Sequence, residues 1–294
     1  MDPVTRPALF VLLVMLVPAA LAGVGLLVGA LVRAGKPLAG GGAFVLGVAY
    51  LVGHFFALPA PPKFPPAASN DALFWAGAVA AVAGMLIGGR ERFKGFSALI
   101  VAGAACLATS YVLRRVVGRM SGSEQVELFG AVALASALSF LGAERTAERN
   151  SGTTSPFLLW IVATALALAN ALSGTASYAS YAAVLAALLG AAIVVAFIRR
   201  NVDYSRGASA VVVVHVAVLC AVGVHLAELP KAAALLLMVA PAASALIGEG
   251  RAKAWGSKKT LLVRAVLVAL PAVAAVAISA YEQAQRTSSS PYGY

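Results

Sequence analysis

Three histidines are the side chains of this chain that titrate near neutrality, and one amide, Asn170, accompanies them inside apolar surroundings. His215 interrupts the apolar run Ala208 to Leu226, and Asn170 interrupts Phe157 to Ser173. An ionisable or amide side chain within such a run is costly to bury, which makes His215 and Asn170 candidates for a proton or substrate pathway. The competing reading is a neutral side chain that hydrogen-bonds one helix to another. His54 and His225 each open the pattern His-x-x-x-Leu-Pro, at 54–59 and 225–230. His225 and Glu228 are three residues apart, a spacing that puts both on one helical face, where they could hold a proton or a divalent cation. Equal depth for His54 and His225 would also suit a bis-histidine haem, an alternative to the main expectation of no cofactor and no metal. Aromatic rings anchoring the membrane interface explain the same two positions.

Charged groups gather at the ends of the apolar runs. By topology His54, Asp71, Glu124, Glu127, His225 and Glu228 share the outer face. Arg114 and Arg115 are expected to snorkel to headgroups there or to pair with Glu124 or Glu127. On the opposite side Arg90, Arg92, Lys94, Arg251 and Lys253 form basic collars suited to anionic lipid headgroups. No CxxC, HExxH, DxDxDG or GxSxG motif occurs, and the Gly/Lys-rich stretch 248–260 has the wrong spacing for a phosphate loop. Without paired carboxylates or a Ser/His/Asp set, no catalytic constellation is readable, and an enzyme is not expected.

The elements that must position these residues follow from composition. Of 294 residues 61% are hydrophobic and 11% charged, and the mean hydropathy is +0.92. A soluble domain has about 25% charged residues, so this chain lacks the polar surface to face water all round. Ten runs approach the roughly 20 apolar residues that a spanning helix needs. They cover 8–32, 38–58, 72–89, 96–117, 126–142, 157–173, 178–198, 208–226, 232–247 and 261–281. The runs are continuous rather than alternating, which predicts an all-α integral membrane protein and not a barrel. Residues 1–281 form a single polytopic domain, and the polar composition of 282–294 predicts a disordered tail. Cys106 and Cys220 fall inside apolar runs and read as small hydrophobes.

The net charge of +11 sorts by side. Fifteen of the 22 Lys and Arg residues fall on one set of alternate connections, which the positive-inside bias assigns to the cytoplasm. Both termini are then extracytoplasmic, in a plasma membrane such as the bacterial inner membrane, and nucleic-acid binding is disfavoured. A cleavable signal ending near Ala22 is the competing reading of the N-terminus, and it would invert the rest. The His-x-x-x-Leu-Pro echo, followed in each case by a helix ending in Leu-Ile-Gly, gives candidate parallel four-helix repeats 8–117 and 178–281 around an insert 126–173. Gly25-xxx-Gly29 and Gly84-xxx-Gly88 predict close helix packing. These features together favour a transporter or permease-like protein for a small solute. The alternative is a non-catalytic subunit or scaffold of a larger complex, redox-linked if His54 and His225 hold haem. Membrane lipids are the expected partners, with a homo-oligomer or larger membrane complex as a further expectation.

Overall fold

In hydrocarbon every backbone N–H and C=O must find its partner within the segment, so long apolar runs become helices. The computed structural model describes residues 9–10, 12–32, 41–58, 60–89, 95–149, 153–199 and 206–289. Among them helix is the regular structure, and no strand occurs. A π-turn at Leu12–Leu16 leads into α1 (Val17–Val32), followed by α2 (Gly41–Ala57), α3 (Ser69–Gly89) and α4 (Ser97–Val112). After one further turn, Arg114–Val117, come α5 (Gly122–Arg149), α6 (Thr154–Leu172) and α7 (Ala176–Ile198). The chain continues as α8 (Arg206–Leu226), α9 (Lys231–Ala243, ending in a 3₁₀ turn Ser244–Leu246) and α10 (Glu249–Ser289), which breaks at Gly256 with φ 74°. Seven of these helices are long and apolar enough to cross a membrane; Gly41–Ala57, Ser97–Val112 and Lys231–Leu246 are shorter apolar helices.

The helices form a ring around a post. α8 packs against α2 to α7 and α9, while around it neighbours run α3, α4, α5, α9, α10, α6, α7, α2 and back to α3. α1 lies outside, against α2 and α7. The spanning stretch of α8 is 94% buried, against 22% for those of α1 and α10. Its sequence is apolar on every side and dense in valine, the pattern of a helix with no solvent face. Where α3 crosses α8 two glycines meet: a Cβ on Gly84 would stand 2.6 Å from the Gly207 carbonyl oxygen. Of the predicted small-residue spacings, Gly84 therefore serves a close crossing, and Gly25 makes another against Val45.

Polar contacts tie the helix ends into two sets. At one end Thr146 and Ser244 share a hydrogen bond of 3.0 Å, and Ser155 and Ser209 one of 3.4 Å. This end also receives α3 and α10 and is the basic one. At the other, proline-rich end, Arg114 donates to the Pro66 carbonyl and Arg115 to that of Ala67, pinning the connection 60–68. Asp71 Oδ2 accepts from the N–H groups of Ala67 and Ala68, capping α3. The two arginines are thus spent on a loop, in place of the expected pairing with Glu124 or Glu127. The carbonyls that take them stand five and four residues before Asp71, in the connection that leads into α3.

Two expectations about chain ends change. Residues 282–289, expected as part of a disordered tail, continue α10 as helix, because Arg286 Nη1 reaches Glu228 Oε2 at 2.7 Å and Gln285 donates to Tyr281. Residues 290–294 lie outside the described residues. The two members of the His-x-x-x-Leu-Pro echo also part company: α2 sits in the ring and α8 is the post, so equivalent positions have unlike neighbours.

Candidate functional site

The site is built on α8, the most buried of the long helices, which carries a polar residue at mid-span. His215 is 5% exposed, and its Nδ1–H donates to the Val211 carbonyl one turn back at 2.7 Å. That bond fixes the tautomer and leaves the Nε2 lone pair aimed away from its own helix, with no hydrogen-bond partner. Glycine at position 77 makes the room: a Cβ there would stand 3.2 Å from Nε2. Beside it lies a cavity of about 10 Å³ lined by Tyr50, Gly77, Val218 and Leu219 among others. This is about the volume that one water molecule's centre needs. A buried imidazole with a free nitrogen beside a one-water space can accept, hold and pass on a proton.

Rings extend from His215 toward the proline-rich end. The Tyr50 ring lies 3.9 Å from that of His215 and 5.8 Å from that of His54. His54 stacks on Tyr181 at 4.0 Å with planes 6° apart, and Tyr178 follows at 6.3 Å. Tyr178 shares a 3.4 Å hydrogen bond with Ser69 at the helix end. His54 is fully buried; its Nε2–H donates to the Asn70 carbonyl at 3.3 Å, while Nδ1 has no partner. The column therefore places two unpartnered ring nitrogens and the unpartnered Tyr181 hydroxyl between one end of the bundle and its middle. Asn170 stands elsewhere on the post's flank. Its Nδ2 donates to the Leu166 carbonyl at 3.0 Å, and its unpartnered Oδ1 faces Gly223, whose missing Cβ leaves space for it.

The expected outer-face cluster divides into three. His54 joins the ring column. Glu124, Glu127 and His225 line a cleft of about 130 Å³ between α5, α8 and α9. Glu228 does not share a face with His225: α8 ends at Leu226, the chain turns through a left-handed residue at Glu228 (φ 54°), and the carboxylate meets Arg286. The Leu229 N–H closes that turn onto the Gly223 carbonyl. His54 and His225 accordingly have different surroundings, the first against Tyr181 and the second in the cleft. Among the described residues no group of three His, Cys, Asp or Glu side chains converges as a metal site would require. Arg90, Arg92 and Lys94 lie outside the described residues, and Arg251 and Lys253 fall on the first turns of α10, where side chains are not described.

Several residues escaped the sequence reading. Tyr50 precedes His54 by four and Tyr178 precedes Tyr181 by three, both same-face spacings that could have flagged a polar stripe. Glu144, just past the run 126–142, and Arg264, inside the run 261–281, were not singled out, yet they are buried to 8% and 2% exposure. Lys231, counted only for its charge, bridges to Glu127 Oε1 at 3.3 Å across the cleft mouth. No protein-family model matches the chain, and neither a curated protein nor a solved structure does.

Proposed function

We propose that this chain is a ten-helix membrane protein that moves a small solute in exchange for, or together with, protons, with His215 as the mid-membrane proton site. The observation that carries this reading is the unpartnered Nε2 of His215 beside a one-water cavity at the centre of the most buried helix. Ionisable groups kept inside a bundle at this cost mark proton and substrate pathways more than packing does. The column Tyr181, His54, Tyr50 and His215 supplies the approach from one side, and a rocking of the ring about α8 would open the other.

All ten helices cross in this reading. The three shorter ones run between the same two ends as their long neighbours: α9 meets α5 at Lys231–Glu127 and again at Ser244–Thr146. A 16-residue helix is about 24 Å long, somewhat short of the hydrocarbon thickness, which a locally thinned bilayer accommodates. The basic end faces the cytoplasm and both termini lie outside. In a variant whose two native cysteines are replaced by alanine, a cysteine at Ser123 is expected to react with an impermeant maleimide on intact cells. One at Lys258 should react only after permeabilisation, and the reverse pattern would overturn the orientation.

Transport itself is tested in proteoliposomes carrying a pH-sensitive dye inside. Adding a panel of small solutes under an imposed pH gradient should produce proton movement with at least one of them. The second reading, a non-catalytic subunit or scaffold, is favoured by the sealed centre, where the space at His215 holds no more than a water. Solute-independent dye traces together with a co-purifying membrane partner would establish that reading and end the first.

A further inference from the structure

The cleft between α5, α8 and α9 is separate from the ring column and differs from it in chemistry. Its volume of about 130 Å³ is far larger than the space beside His215. An apolar cavity of roughly 150 Å³ accepts a benzene-sized molecule. The floor is buried and apolar, built by Val132 from α5, Cys220 and Ala221 from α8 and Met238 from α9. The rim is polar: Glu124 in the first turn of α5 and Glu127 just beyond it, Lys231 opening α9, and the half-buried His225 in the last turn of α8. We infer that this cleft binds a small amphipathic amine, its hydrocarbon body on the apolar floor and its ammonium group against Glu127 and Glu124.

Charge decides for a cation. The rim side chains number two carboxylates against one ammonium, so their summed formal charge is negative when His225 is neutral. Glu124 is held in place by the Ser121 N–H at 2.7 Å and the Ser121 hydroxyl at 2.8 Å, which leaves acceptor capacity on its carboxylate. Glu127 is spanned by Lys231 at 3.3 Å, with both side chains about 70% exposed. A pair so exposed is held weakly, so a ligand ammonium can take the place of Lys231 on Glu127. Lys231 is then a competitor for the site, not a ligand of it. The floor adds an apolar contribution, since each methylene taken out of water onto it favours binding, and a chain of five or six carbons suits the space.

The probe is n-hexylammonium, with hexanoate and hexanol as matched controls, titrated calorimetrically into the full-length protein in nanodiscs. Hexylammonium is expected to bind saturably, and hexanoate and hexanol to show no saturable heat at the same concentrations. Lys231→Gln should tighten hexylammonium binding several-fold, and Glu127→Gln should weaken it by about tenfold, the worth of one charge-assisted contact. Met238→Trp, which fills the floor, should abolish it. If hexanoate binds instead, or Lys231→Gln weakens binding, the site is anionic in preference and lipid phosphate or carboxylate is its ligand. If hexylammonium heat is unsaturable or survives Met238→Trp, the amine is partitioning into lipid and the cleft is not its site. This binding stands or falls whatever the outcome of the proton-transport test.

Discussion

A leucine at Gly207 is expected to abolish the folded protein, and even alanine there should be severely destabilising. A Cβ at position 207 would overlap the Gly84 carbonyl oxygen and lie 3.0 Å from the Ala43 Cβ. The first of these neighbours is backbone and cannot rotate away, so α3 and α8 must separate to admit a single methyl. Overpacking a core costs about 1–3 kcal/mol where side chains can adjust, and here the adjustment is a whole helix pulled off the central post. The reciprocal position gives the same expectation, because Gly84→Ala meets the Gly207 carbonyl at 2.6 Å. Gly103→Ala is the control: nothing stands within 4 Å of its added Cβ, and it should melt with the wild type. Thermal melts followed by size-exclusion chromatography in detergent read all three. A Gly207→Leu protein that elutes and melts normally would show that α3 and α8 do not cross as described.

Replacing His215 by leucine is expected to separate stability from function. The variant loses the hydrogen bond to Val211, worth about 0.5–1.5 kcal/mol net, and the ring contact with Tyr50, of similar size. It also removes a buried nitrogen that has no partner, whose desolvation costs about 1–3 kcal/mol. These terms offset, so the melting temperature should move little in either direction. Proton movement driven by solute should fall to the level of empty liposomes, since leucine can neither accept nor release a proton. A large loss of stability with flux intact would make His215 interhelical cement. His215→Gln offers a second check: it restores polarity without titration, and it should be stable and inactive in the same assay.

The separate fates of His54, His225 and Glu228 show where reading along the chain stops being informative. The burial of His215 and Asn170 was legible in the apolar runs around them. That His54 would face Tyr181 on α7, and not its echo His225, depends on which helices are neighbours. The helical spacing of His225 and Glu228 failed for a local reason, because the chain leaves the helix at Leu226 two residues before the carboxylate. Glu144 failed the other way, since α5 runs on past the predicted end at 142, and Arg264, inside the predicted run 261–281, is buried by tertiary packing.

By itself the sequence determined that the chain is helical and apolar, and the approximate limits of most of its helices. Those depend on local quantities: the length of an apolar run, the prolines and glycines that punctuate it, and the cost of dragging Lys or Arg through hydrocarbon. Which helix became the post, which glycine met which backbone, and which polar residues came within reach of His215 were decided only in three dimensions. In a chain where nearly every helical face is apolar, hydrophobicity exerts no preference among neighbours. Shape, glycine clearance and a few interhelical hydrogen bonds are what remain to choose between packings.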